Sequence, residues 1–222
     1  MEPMTTPARF PFKPVGHATP ALESRVDELR GRLSLVPPNA LAERTGADYI
    51  ELGQGRGEFH LELLSAPIAL TYPDFRATDN KLPVFKQALL IYYFAHSDGT
   101  PPAGEWVAFA DLPDGRVYSS AFQGYTGDLL AKTFLLNLDA FRSACQKADG
   151  VPVPFGDAAF RFRALPRMDL LVVYHLGDED FPSTCKLLFD ANSGHYLPAE
   201  ACAVLGSSLT QKVLRVSQAR IV

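Results

Sequence analysis

The densest group of side chains able to do chemistry lies near the end of the chain, in Asp190-Ala191-Asn192-Ser193-Gly194 and the following His195-Tyr196-Leu197-Pro198-Ala199-Glu200. Pro198 suits the first position of a helix, which puts Glu200 at the third, where a carboxylate meets unpaired backbone N–H groups and the positive end of the helix dipole. His195 falls just outside that end. The field there disfavours imidazolium and leaves a neutral ring able to accept a proton or ligate a metal. Both residues also have a structural reading, Glu200 as a cap and His195 as a loop histidine bonded to a carbonyl. A metal reading would join Asp190, His195, Glu200 and His175, a mixed nitrogen and oxygen set suited to zinc or iron. No HExxH or CxxC spacing accompanies it, so no metal is expected. A Cys185–His195 nucleophile is disfavoured because Cys185 opens an apolar strand, where a thiol is inert packing.

Two aromatic positions extend this corner into a candidate ligand site. Trp106 follows Asp98-Gly99-Thr100-Pro101-Pro102-Ala103-Gly104, a loop stiff enough to present a side chain. Tyr118, Phe122 and Tyr125 lie in a Ser/Gly-rich connection without periodicity, where aromatics either plug the core or line a pocket. The expected ligand-binding set is therefore His195, Tyr196, Glu200, Asp190, Trp106 and Tyr118, in a cleft between the start of the last helix and the Trp106 loop. No catalytic residue is assigned.

The elements that must position these residues follow from pattern. Residues 170–174, Leu-Leu-Val-Val-Tyr, form a continuous apolar run suited to a strand covered on both faces, and 185–189 form its neighbour. Residues 158–165 alternate Phe160 and Phe162 against Arg161 and Arg163, a half-exposed strand. Leu22, Val26, Leu29 and Leu33 make one helical stripe, with Thr19 as N-cap and Pro20 at the first helical position. Asn39 can cap a short helix to Arg44, ended by Gly46. Residues 49–52, 59–64 and 68–72 read as antiparallel strands. The joint Gly53-Gln54-Gly55-Arg56-Gly57 is read as a hairpin loop, since a nucleotide loop needs a helix directly after it. Residues 81–95 are apolar almost all round, the pattern of a central buried helix. Leu112-Pro113-Asp114-Gly115 fits a type I turn. Thr126 caps a helix over 127–136, and Asn137 caps another to Ala148 that carries Phe141 and Cys145 on one face. The fold class is α+β: a mostly antiparallel, or mixed, sheet of about six strands with helices mainly on one face. Residues 1–19, with four prolines, should be an extended or disordered arm, and 20–222 a single domain.

Composition bounds the function. A chain of 222 residues with 25 acidic and 21 basic side chains lacks the footprint for phosphate backbones or anionic lipid, so neither nucleic acid nor membrane is an expected partner. The odd number of cysteines, Cys145, Cys185 and Cys202, points to reduced thiols and the cytoplasm. No apolar stretch is long enough to span a bilayer, and the amino terminus lacks a signal-peptide core.

Several phrases resemble the prokaryotic family catalogued as domain of unknown function 3786: Leu41-Ala42-Glu43-Arg44-Thr45-Gly46-Ala47, Gly99-Thr100-Pro101-Pro102-Ala103-Gly104-Glu105-Trp106, Gly156-Asp157-Ala158-Ala159-Phe160, Leu165-Pro166-Arg167, Leu188-Phe189-Asp190, residues 195–200 and Ala203-Val204-Leu205-Gly206. The resemblance runs from about Leu41 to the end and carries over no activity or catalytic residue. It implies relatives mainly in anaerobes, some with a cysteine-rich iron–sulfur module ahead of this domain. Residues 1–19 contain no cysteine, so no iron–sulfur cluster is expected from the chain's own thiols, while service to an anaerobic redox or corrinoid-dependent pathway stays open. The chain reads as an accessory module binding a small molecule, cofactor or partner protein. The alternative is a small metal-dependent enzyme or hydrolase using the His195/Glu200 corner.

Overall fold

The computed structural model describes residues 20–79 and 82–218. In chain order these form α1 (Pro20–Leu33), α2 (Pro38–Thr45), β1 (Asp48–Gly53), β2 (Arg56–Leu63), β3 (Ala66–Tyr72), α3 (Val84–His96), β4 (Trp106–Ala108), α4 (Ser119–Tyr125), α5 (Gly127–Phe134), α6 (Leu138–Lys147), β5 (Val151–Val153), β6 (Ala158–Leu165), β7 (Met168–His175), β8 (Thr184–Asp190) and α7 (Ala199–Gln218). The class is α+β. The strands divide into two wholly antiparallel sheets, β1-β2-β3 and β4-β8-β7-β6-β5, rather than one sheet of six. The sheets adjoin where Leu64 N–H donates to the Ala164 carbonyl at 2.9 Å. Buried side chains from both sheets and the helices form one continuous core. The arm over residues 1–19, and Thr19 as a cap, lie outside the described residues.

The five-stranded sheet is organised on β7. Leu170, Leu171, Val172, Val173 and Tyr174 are all buried, because β6 and β8 flank the strand and each face carries apolar neighbours. Alternation assigns the faces: Phe160, Phe162, Leu170, Val172, Tyr174, Leu187 and Phe189 join the main core, which α5 and α6 cover. Ala159, Leu171 and Val173 sit on the other face with Trp106, Val153 and Leu188. The short β5, with Pro152 inside it, is an edge strand on β6, where a missing N–H is tolerated.

Helix α3 is the centre of the molecule, burying seven consecutive residues from Ala88 to Phe94. The stripe Leu22, Val26, Leu29 and Leu33 buries α1 against it, and Arg25 contacts Tyr92. The loop Gly53-Gln54-Gly55 passes directly from β1 into β2 with positive φ at each residue, so no helix follows these glycines. Gly46 ends α2 at φ 71, its N–H on the Ala42 carbonyl, whereas Asn39 lies inside that helix, whose N-cap is Pro37.

Other local expectations need correction. Leu112-Pro113-Asp114-Gly115 closes with Gly115 N–H on the Leu112 carbonyl at 2.9 Å, but Asp114 sits at φ 61, ψ 4, which makes a type II turn rather than type I. The Ser/Gly-rich connection is helical, as a 3-10 turn over Gly115–Tyr118 and then α4. Thr126 does not cap α5; its hydroxyl donates to the Phe122 carbonyl at 2.5 Å. Asn137 does cap α6, its Oδ1 accepting from Ala140 N–H at 2.9 Å.

Close packing of α5 on β8 rests on Gly127, where a Cβ would stand 2.1 Å from the Cys185 carbonyl oxygen. Gly127→Ala must push the helix off the strand. A loss of about 1–3 kcal/mol is expected, read by urea denaturation, and unchanged stability would contradict this packing.

Candidate functional site

At the end of β8 the residues expected to form a ligand site act mainly on one another and on the loop between α3 and β4. Asp190 is buried and accepts three backbone N–H groups, from Ala103 at 2.8 Å, Gly104 at 2.9 Å and Asn192 at 3.0 Å. Tyr196 is wholly buried. Its ring stacks on Tyr93 at 5.7 Å between centroids, and its hydroxyl donates to the Thr100 carbonyl. His195 is half-exposed, with Nδ1 at 2.7 Å from Asp98 Oδ2 and 3.2 Å from Thr100 Oγ1. Hydrogen bonds from the Thr100 side chain and backbone, and then from His195, hold the Asp98 carboxyl well below the ordinary carboxylate range, at about 2. These three residues therefore clasp the loop over residues 98–104 onto the strand–helix corner. Two buried polar atoms beside the clasp, Asn192 Oδ1 and Ser193 Oγ, have no protein partner among the described residues.

The side chains of the other predicted residues take no part in the clasp. Trp106 pairs with Asp190 across the β4–β8 ladder and packs on the sheet face turned away from the helices. His175 pairs with Thr184 at the far end of β8 from Asp190, about 20 Å away along the strand, and its ring approaches Asp157 at 3.9 Å. The mixed nitrogen and oxygen set is thus spread along a ladder instead of converging. Among the described residues no group of three or more His, Cys, Asp and Glu side chains is placed to hold a metal. Cys145, Cys185 and Cys202 are free and buried, and burial pushes each thiol up, away from the reactive thiolate.

Tyr118 and Glu200 meet elsewhere, in a groove of about 300 Å³ between α3, α4 and α7. Its floor is one face of α7, residues spaced three and four apart: Glu200, Ala203 and Val204, Ser207 and Ser208, Gln211, and Arg215. The small side chains in the middle of this face leave the hollow. One wall comes from Tyr118, at the end of the 3-10 turn, and from Ala121 and Tyr125 of α4. Helix α4 comes close because α7 has Gly206 opposite Phe122, where a Cβ would meet the ring at 2.7 Å. Phe122 is held in turn by stacking on Phe109 at 4.3 Å. Phe85 and Lys86, from the first turn of α3, form the other wall.

The groove is electrically polarised. Glu200 lies at the start of α7 and Arg215 fifteen residues on, about 22 Å along the axis. No hydrogen bond to the Glu200 carboxylate is formed by the described residues, so it faces the groove without capping the helix. Lys86 is half-buried beside Arg215 and Lys212, and burial first, then these two cations, lower its pKa. Lys212 is neutralised by Asp149 at 2.7 Å and by the Leu64 carbonyl, whereas neither Lys86 nor Arg215 has an ion-pair partner among the described residues. Burial pushes the Tyr125 hydroxyl up to about 12, which keeps it a neutral donor.

The sequence singled out Tyr118 and Glu200 and left Tyr125 open between core and pocket, but passed over Lys86, Ser207, Gln211 and Arg215. One signal was available: a single lysine interrupting the apolar run of residues 84–94 must face either solvent or a polar pocket.

A carboxyl held low in the folded state contributes stability that is full above its ordinary titration and is lost as the pH falls from about 4 to about 2. Replacing Asp98 by Asn removes this component. Wild-type stability should therefore fall more steeply than that of Asp98→Asn across this window in urea denaturation, and parallel curves would show that the carboxylate is not held by the clasp.

The model of the family described as domain of unknown function DUF3786 matches residues 37–212 of the chain, which takes in the clasp and most of the groove. No curated protein and no solved structure is significantly similar to it. With most of its length matched, the chain belongs to the DUF3786 family.

Proposed function

We propose that the protein is a non-catalytic accessory module of the cytoplasm that binds a small organic molecule in the groove between α3, α4 and α7. The observation that carries this reading is a hollow of about 300 Å³ with small side chains in the middle of its floor, aromatic rings on its walls and a few polar groups converging on it, the usual composition of a ligand pocket. Three free, buried cysteines support a reducing compartment. Service to an anaerobic redox or corrinoid-dependent pathway rests on the family resemblance.

One observation favours the enzymatic alternative. Asp98 holds the His195 ring through Nδ1, as a carboxylate orients a catalytic imidazole. The couple lacks its third member, since no hydroxyl or thiol of the described residues is hydrogen-bonded to the other ring nitrogen, and the thiols are buried.

A neutral fluorescent probe, phenylnaphthylamine, tests the binding reading. Its emission should rise on mixing with the protein, and Ala203→Trp, which fills the floor, should abolish that rise while shifting the melting temperature by no more than a few degrees. Undiminished binding to a folded Ala203→Trp protein would place the probe elsewhere and overturn the assignment.

A further inference from the structure

We infer that the groove selects anions, with Lys86 and Arg215 as the seat of a phosphate or carboxylate borne by a flat, apolar body lying against Phe85 and the tyrosines. This deepens the ligand-binding reading and rests on it. Charge complementarity carries the argument. Lys86 and Arg215 line the same end of the groove and repel each other there, and neither is offset by a carboxylate among the described residues. Lys212, a further cation acting on Lys86, is already paired with Asp149, so Lys86 and Arg215 are the ones left for a ligand. Keeping an unpaired, half-buried ammonium beside a guanidinium opposes folding, and an incoming anion relieves that opposition through charge-assisted hydrogen bonds. Gln211, one turn before Arg215, and Ser207 add uncharged donors on the same face, whereas the Ser208 hydroxyl donates to the Val204 carbonyl at 2.8 Å. Glu200 at the opposite end repels a second negative group, so a compact anion with one charged end fits better than a long dianion charged at both ends.

The test is displacement of anilinonaphthalene sulfonate from the full-length protein by naphthyl phosphate, naphthoate and naphthol, which share one ring system and differ in the charged group. Both anions should displace the probe about tenfold or more better than naphthol. Tighter binding of the phosphate would identify phosphate esters as the class, and tighter binding of the carboxylate would identify aromatic acids. Lys86→Met and Arg215→Gln should each weaken the preferred anion by about tenfold and leave naphthol unchanged, and Lys86→Arg should keep most of the affinity. If naphthol binds as well as the anions and neither substitution matters, the groove is an apolar site and the inference fails while the binding reading stands. If no compound binds and Ala203→Trp changes nothing, the binding reading fails as well. Circular dichroism of each variant verifies the fold.

Discussion

The hydroxyl of Tyr93 joins parts of the chain that nothing local would bring together. It donates to the Thr45 carbonyl at the end of α2 at 2.6 Å and accepts from the Arg167 N–H in the β6–β7 turn at 3.1 Å. Its ring stacks on Tyr196, which reaches the loop over residues 98–104. Burial raises the pKa of this hydroxyl far above its ordinary value, so it keeps its proton and both bonds. A buried polar group is expensive unless satisfied. Satisfying this one requires α2, α3, the β6–β7 turn and the strand–helix corner to arrive in one arrangement, so the hydroxyl acts as a registration point for the central helix.

Fixing α3 decides what is left for function. With residues 88–94 buried on all sides, its first turn projects beyond the core and carries Phe85 and Lys86 to the edge of α7. The groove exists because α7 spends small residues there and glycine at the α4 contact, where larger side chains would have closed the gap. The strand–helix corner is used differently. Asp190, Tyr196 and His195 are engaged in holding a proline-containing loop, and a side chain committed to three backbone N–H groups, as Asp190 is, has little capacity for a ligand.

The sequence made some of this legible, for physical reasons that differ by element. A strand covered on both faces must be apolar where it is covered, and residues 170–174 of β7 are. A half-covered strand must alternate, and β6 does. The stripe of α1 and the all-round apolar α3 follow from the same periodicity. Other features obey no local rule. Helix α4 is seven residues with a glycine and two serines, weak by propensity and stabilised by Phe122 packing on Phe109 and Phe189. The division into two sheets depends on which edges meet, and the three residues of β5 are too few to show a pattern. The groove was least legible: Lys86, Tyr118 and Arg215 come from three helices far apart in the chain, and only packing brings them to one hollow. The corner drew attention because its residue types are those of chemistry, yet carboxylates, histidines and tyrosines serve equally well to bind backbone groups.

The central claim is that function lies in the groove and that the His195 corner is architecture. Amide chemical-shift mapping during a titration with naphthyl phosphate separates the two most directly. The account predicts progressive shifts at Phe85 and Lys86, along α4, and at residues 203–215 of α7, with Asp98, Thr100 and His195 unmoved. Shifts centred on Asp98, Thr100 and His195, with the groove silent, would contradict it.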